Sequence, residues 1–495
     1  MKPLLPVAAL MLASTAAIAE LAPQDIIESW GNYYARFGGS FNIGETEVNS
    51  TATRYSDITA EMHIAGNTSR YSIEYINVQS NADGSVDITF SPNNTFTISA
   101  EANGEKFEAQ ASYDLGTLNL HAEGSPENIH YSFSAPIITL HQTQSQSGME
   151  MSTTIAMQGL AGTLDSDTST EGLIAQTGHV DMASLSAKIT VKPQGNPQTF
   201  VNYQAENISV SYDMSLPETL PPAALHTMLF PEGAVFGMAI NTGTATTTVD
   251  QKTPSGTGRF TFTQSSGALT GAFAENALSY GITATGATLA LANTPTQPVD
   301  FTAGFSRFHW GITLPVRKSD TAAPFALSLA LEGLTVGPEI WAKLDPDATL
   351  EQTPASFAFS LNGTAKLFVD LFDQTALTAL RGAPFELRAL SLSSLSLDFE
   401  GMGLTGDGDV TFNNERIDPM SGMPEPSGVL DFSVNGALGM LDKIGRLGLI
   451  EPMMIIGAKG ALGMFATPNS GPDSFTSRIE FTEGGHISIN GQQVK

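Results

Sequence analysis

There is no cysteine in the 495 residues. Disulfide cross-links, thiolate metal ligands and a cysteine nucleophile are excluded, as is a lipid attached to a cysteine behind a leader. A small exported domain without disulfides struggles for stability, but a chain this long can bury enough core to do without them. Positive charge is scarce: 22 Lys and Arg stand against 50 Asp and Glu, a net charge of −28. Nucleic acid and anionic headgroups both need cations to neutralise phosphate, so this balance repels them and nucleic acid is not an expected partner. Charged residues make up only 15% of the chain, below the usual quarter, and Ser, Thr, Asn and Gln fill the polar positions. The acidity reads as a solubility feature. After the first residues no segment has the ~18 uninterrupted apolar residues that a membrane helix needs. Also missing are a G-x-S-x-G elbow, a P-loop and an H-E-x-x-H pair.

What is present begins with a leader. Met1-Lys2-Pro3 precedes an apolar stretch from Leu4 to Ala13, and Ala17-Ile18-Ala19 precedes Glu20. A short basic start, a brief apolar core and an A-x-A end form a secretory signal. Cleavage after Ala19 and a periplasmic (or secreted) location are expected, with no transmembrane span after cleavage. The first mature element is helical. Pro23 and Asp25 suit a first turn, Ile26, Trp30, Tyr33 and Phe37 recur at helical spacing, and Gly38-Gly39 stop it. A helix of this kind docks on a sheet edge or face.

From about Phe41 to Leu216 the hydrophobic period becomes two. Phe107 to Tyr113, Ile129 to Phe133 and Ile208 to Met214 alternate without a fault. Asn81-Ala82-Asp83-Gly84, Asn103-Gly104 and Glu123-Gly124-Ser125-Pro126 punctuate the runs. The pattern predicts a mainly β fold of many antiparallel strands, in a sandwich or an extended meander, with a few short helices. A Pro-rich break from Leu216 to Pro222 leads into a short helix over Ala223 to Leu229. Asn241 to Gly258 reads as a linker or a long hairpin, and Arg317 to Asp320 opens a loop taken as the last boundary. The resulting division is a signal peptide over 1–19, an N-terminal β region with its leading helix over 20–215, a middle β region over 216–316, and a C-terminal α+β region over 317–495. That last region contains an apparent repeat: Phe359 to Gly363 running into Thr364 to Phe372, and Phe432 to Gly436 running into Ala437 to Leu449. Each copy reads as a strand, an Asn-Gly corner and an apolar helix. In the second copy Leu438, Leu441, Ile444 and Leu447 or Leu449 form the stripe expected to pack on the sheet and cap one end of it.

Candidate sites are few. Gly401-Met402-Gly403-Leu404-Thr405-Gly406 matches the dinucleotide pattern, but Asp407 to Phe412 reads as turn and strand where the motif requires a helix N-terminus. Asp407 and Asp409 lack the rest of a calcium loop and suit a hairpin turn. Of the scattered histidines, His121 and His130 are the best pair, at polar parity on strands flanking one turn, yet two ligands do not make a zinc site. His309, beside Trp310, suits aromatic packing. No catalytic, cofactor-binding or metal residue is assigned, and no cofactor is implied.

Several motifs occur in a telling order. They are Trp30 with Phe37-Gly38, Trp341 with Leu344-Asp345-Pro346, Leu361 to Asp370, Leu441 to Leu449, and Gly457 to Ala466. Asp473 to Glu480, Gly484-Gly485-His486-Ile487 and Asn490-Gly491-Gln492 follow. Together they resemble the proteobacterial family catalogued as domain of unknown function 2125, most densely after Trp341. The resemblance implies an envelope protein with no assigned activity, and no catalytic residue carries over. Three functions remain open: a non-enzymatic envelope protein holding a lipid or partner along a sheet face, an exported hydrolase with a carboxylate pair, and an adhesion or structural scaffold. An ordinary closed sandwich core would account for the same apolar faces. The oligomeric state is left open.

Overall fold

In the computed structural model, residues 21–494 are described apart from 37, 65–66, 103–104, 147–148, 194–197, 218–232, 255, 275, 293–299, 418–421 and 449. The leader, Phe37, the Asn103-Gly104 turn and the Ala223–Leu229 helix therefore lie outside the described residues. What remains is mainly strand: one antiparallel sheet of 27 strands, with five short helices, among the described residues.

The helices are α1 (Pro23–Arg36), α2 (Pro338–Leu344), α3 (Gln374–Ala379), α4 (Ala437–Leu447) and α5 (Pro452–Phe465). The sheet is largely an up-and-down meander, with two hairpins, Asn94–Ala102/Glu105–Asp114 and Ala245–Thr253/Gly256–Gln264, set beside the shorter pairs Val86–Phe90/Asn119–Ser125 and Val235–Thr242/Ser266–Ala274 on the same long neighbours. From Asn128 the strands grow long: Asn128–Gln146, Met149–Asp167, Leu173–Pro193 and Gln198–Pro217 pair in succession. At ~3.4 Å per residue the longest, of 21 residues, spans about 70 Å. The pairing continues without a gap through Val235–Thr242, Ser266–Ala274, Ala277–Ala292, Phe301–Pro315, Ala323–Val336, Ala355–Leu367, Phe385–Phe399, Met402–Ile417, Pro424–Asn435 and Ser474–Thr482. The hydrogen-bonded ladder thus crosses residues 216 and 317. Asn241 to Gly258 belongs to strands Val235–Thr242, Ala245–Thr253 and Gly256–Gln264; of the two readings it is the hairpin, formed by the last two strands, and not a linker.

Helix α1 starts where the sequence places it, with the Asp25 carboxylate accepting the Ala22 N–H at 2.8 Å, and ends at Gly38, whose N–H reaches the Ala35 carbonyl. Its apolar side lies on the sheet. Ile26, Ile27 and Leu21 are buried against Ile58, Ile76, Val78, Ile88, Ala122, Ile129 and Tyr131. Trp30 stacks on Phe90, with centroids 6.3 Å apart, and meets Phe41 edge-on. This is the largest of the described core clusters; the others are small groups around Leu216–Val316 and Ala205–Ile208.

The apparent repeat is not a structural repeat. Asn362 and Gly363 lie inside the strand Ala355–Leu367, where the Phe325 ring covers the glycine, and the chain continues extended to the buried Leu367. The expected helix over Thr364 to Phe372 is replaced by the end of that strand and a turn, and α3 begins later, capped by Asp373. Only the second copy turns. Gly436 adopts φ 74°, and α4 follows. The difference is backbone conformation: an Asn-Gly pair permits a corner but does not compel one when cross-strand partners hold it extended.

Candidate functional site

Strand alternation sorts the side chains onto two unlike faces. On one face, residues directly opposite one another form an unbroken apolar ladder across the sheet. It runs Val78, Ile88, Leu120, Phe133, Gly162, Val180, Val210, Ile240, Leu269 and Ile282. It continues through Trp310, Leu329, Phe359, Leu395, Gly406 and Phe432. A second ladder lies two residues along each strand, or three where a bulge separates Leu392 from Leu395. It includes Val86, Ala122, Tyr131, Leu164, Gly178, Tyr212, Met238, Gly271 and Tyr280. Ile312, Leu327, Leu361, Leu392, Gly408, Leu430 and Ile479 complete it. Several glycines in these files are covered by a neighbour's ring. A Cβ on Gly162 would sit 2.6 Å from the Phe133 ring, and one on Gly406 2.6 Å from the Phe432 ring, while Tyr212 lies over Gly178. The apolar surface therefore continues across them.

The other face is polar. Between the two apolar ladders, at opposite parity, runs Thr270, Gly281, Gly311, Ser328, Ser360 and Ser394. His309 belongs here, not to an aromatic cluster. Its ring nitrogens lie 3.0 Å from the Thr283 and Ser328 hydroxyls, because alternation turns it away from Trp310, which packs on Tyr280 across the sheet.

Burial along the apolar face is graded. Val78 and Ile88 are completely covered, beneath α1. From Leu120 onward the first ladder is half-buried, apart from Gly406. Between α1 and the sheet lies a cavity of 520 Å³, lined by Trp30, Tyr33 and Tyr34 of the helix and by Ala60, Tyr131 and Tyr212 of the sheet, among others. Ala60 and Tyr212 are roughly seven strands apart, about 34 Å in a flat sheet at ~4.8 Å per step. That both line one cavity requires the sheet to curl around the helix. The result is a trough, roofed by α1 at its N-terminal end and only partly covered beyond. Burial raises the hydroxyl pKa values of this aromatic group; Tyr34 is pushed up to about 12, first by burial and then by Tyr71 and Tyr33. Tyr113, Tyr131 and Tyr212 move the same way, mainly from burial. The Tyr131 hydroxyl is buried beside Ser29 and Trp30.

The residues singled out from the sequence take up structural roles. Gly401 lies in a turn at φ 82°, and Met402–Ile417 is a strand, so no helix follows the glycine pattern. Asp407 and Asp409 lie inside that strand, not in a hairpin turn; the turn falls earlier, at Glu400-Gly401. Asp407 sits opposite Asp431, which Arg478 binds at 2.9 Å. His121 and His130 do share the polar face, on neighbouring strands, but each is engaged by its own aspartate: Asp87 at 2.7 Å and Asp165 at 2.6 Å. The His121 hydrogen bond holds the Asp87 carboxyl below its ordinary range. Among the described residues no three metal-ligating side chains converge. Asp25 and Glu28 line the cavity, yet Asp25 binds the Ala22 N–H and Glu28 the Gln24 amide.

Other acidic residues hold loops and helix ends. Buried Asp345 accepts the N–H groups of Thr349 and Leu350 at 2.8 and 2.7 Å, and Glu400 accepts those of Glu351 and Thr353. Asp473 caps α4 through the N–H groups of Leu438 and Gly439. The ladders themselves were missed in the sequence. Their signal was available, in the repeated recurrence of alternating apolar residues, but which residues stand opposite one another depends on registers that alternation alone does not fix. No family model, curated protein or solved structure matches the chain.

Proposed function

We propose that this is an exported envelope protein without catalytic activity that holds the hydrocarbon chain of a lipid along its apolar sheet face. One observation carries the reading: two continuous apolar ladders whose large side chains are only partly covered once they leave the shelter of α1. A closed sandwich would bury both files, as α1 buries Val78 and Ile88. An apolar surface this long that the protein covers only in part marks a place where an apolar ligand lies. The leader and the resemblance to the domain of unknown function 2125 family support the envelope setting. Neither the hydrolase nor the scaffold reading is favoured by a specific feature of the described residues.

The test is a photocrosslinking scan in the exported protein. A photoreactive amino acid at Leu269 or Leu329, on the apolar face, is expected to capture lipid. The same probe at the adjoining Thr270 or Ser328, on the polar face, is expected to capture none. Equal capture on both faces, or no capture at Leu269 and Leu329, refutes the reading. Intact mass of the same preparation is expected to begin at Glu20; a form retaining Met1 refutes export by cleavage.

A further inference from the structure

Helix α5 carries an exposed apolar surface. Met453, Met454, Ile456, Met464 and Phe465 are 74, 64, 65, 72 and 41% exposed, the densest run of exposed large apolar side chains among the described residues. Helix α4 packs on the strand Met402–Ile417, burying Ala437 and Met440, and α5 rides on α4. The contact uses Ile455, beside Gly445, and Lys459, whose ammonium binds Asp442 at 2.5 Å. Lys459 is the one charged residue of α5, and it lies on the packed side. A Cβ added at Gly457, Gly460 or Gly463 would meet nothing within 4 Å. The helix is therefore bare and apolar around the rest of its circumference.

We propose that α5 is a membrane-docking element that embeds in the surface of a lipid bilayer. Three features select a bilayer over a protein partner or a second copy of this chain. First, a helix that docks on a protein presents one apolar stripe bordered by polar residues, because the partner covers one side. Hydrocarbon surrounds a helix on several sides, and α5 is apolar on several sides. Second, its 14 residues give a length of about 21 Å, short of the ~30 Å hydrocarbon core, which suits entry into the surface of the bilayer and not spanning. Third, the α4–α5 hairpin carries Lys443, Arg446 and Lys459 against its own Asp442 and Glu451, so that even with Glu351 on Lys443 and Asp473 at the start of α4 it is far less acidic than a chain of net charge −28. This is where so acidic a chain approaches a lipid surface with least repulsion. The hairpin lies between strands Pro424–Asn435 and Ser474–Thr482, so docking would set the C-terminal end of the apolar face against the membrane.

The test uses the full mature chain and vesicles of phosphatidylcholine. The unaltered protein is expected to float with the vesicles in a density gradient. The double variant Met453→Asp/Ile456→Asp is expected to lower the vesicle-bound fraction by about tenfold or more, the factor given by 1.4 kcal/mol of lost binding. Circular dichroism and the melting profile should stay unchanged, because both side chains are solvent-exposed. Val48→Asp, at the opposite end of the sheet and 76% exposed, is expected to float as before. Since the chain has no cysteine, Met464→Cys also accepts a single environment-sensitive dye, which quenchers carried on the lipid chains should quench. Failure of the unaltered protein to float, flotation untouched by the double variant, or an unquenched dye overturns the proposal. So does a dimer that the double variant dissociates without changing flotation. Loading of a fluorescent fatty acid reads the sheet face separately, so a protein that loads but does not float sinks the docking role alone.

Discussion

Ile88 and Ile282 are the same residue type on the same apolar ladder, and they separate an open face from a closed core. Ile88 is fully buried between Val78 and Leu120 in the cluster that α1 covers. Truncating it removes buried methyl groups and leaves a cavity with a lid, so Ile88→Ala should cost about 2–5 kcal/mol. Ile282 stands between Leu269 and Trp310 and is only half-buried. Full burial of such a side chain is worth about 1.5–3 kcal/mol; Ile282 is covered only in part, alanine keeps some of that burial and no enclosed void adds to the loss, which leaves about 1 kcal/mol. A sheet this long need not unfold in one step, so global denaturation is the wrong measure. Hydrogen exchange of the flanking strands reads local opening directly. Exchange in Val86–Phe90 and Asn119–Ser125 should accelerate by about thirtyfold or more in Ile88→Ala. In Ile282→Ala, exchange in Ser266–Ala274 and Phe301–Pro315 should accelerate only about fivefold. Equal acceleration at the two sites would mean that the distal face is packed as a core, and the open trough would be refuted.

Gly406→Val should lower thermal stability, by about 1–3 kcal/mol as overpacking does, because its Cβ would press on the Phe432 ring. Gly403→Val, where a Cβ meets nothing within 4 Å, should leave the melting profile nearly unchanged. Met440 is the side chain that α4 buries, whereas Leu441 is half-buried. Met440→Ala should therefore increase proteolysis between Asn435 and Ser474 more than Leu441→Ala does. The Tyr34 hydroxyl, raised to about 12 in the folded chain against ~10 unfolded, gives stability that is complete below pH ~10 and is lost as pH rises through about 12. Tyr34→Phe should remove one late-ionising phenol from an ultraviolet alkaline titration and flatten the alkaline loss of stability.

The fold class was legible because alternation is a local signal. Ile129 to Phe133 and Ile208 to Met214 read as strands from spacing alone, and both lie in strands. The α1 boundaries were legible for the same reason, since Pro23, Asp25 and Gly38 act within one turn of themselves. The misreadings share a different cause. Asn362-Gly363 and Asn435-Gly436 are alike in sequence, but the first is held extended between two strands while the second stands at the sheet's margin, where Gly436 is free to adopt φ 74°. His309 was paired with its sequence neighbour Trp310, although adjacent strand residues face opposite ways. The trough itself depends on long-range curvature. It brings Ala60 and Tyr212 to one cavity, and no short window of sequence contains both.

An open sheet has two free edges, and a chain that keeps one must prevent other strands from adding to it. At the first edge, Ser40–Asn42 and Glu45–Val48 are short pieces that both pair with Ala52–Ile64, broken at Gly44. Glu45 and Glu47 place negative charge along that edge, so an incoming copy of the same edge meets like charge. At the last edge the strands shorten in steps, from Ser474–Thr482 to His486–Ile489 and then to Gln492–Gln493. So short a final strand offers few hydrogen bonds to a newcomer. The protection is placed on the edges and not on the apolar face, where a charge would interrupt the ladders. The long central strands keep their apolar side chains in register from Val78 to Phe432, and the termini carry what keeps the sheet from growing. This division follows if the face is meant to stay apolar and accessible. A closed barrel would have removed the edges, and with them the access.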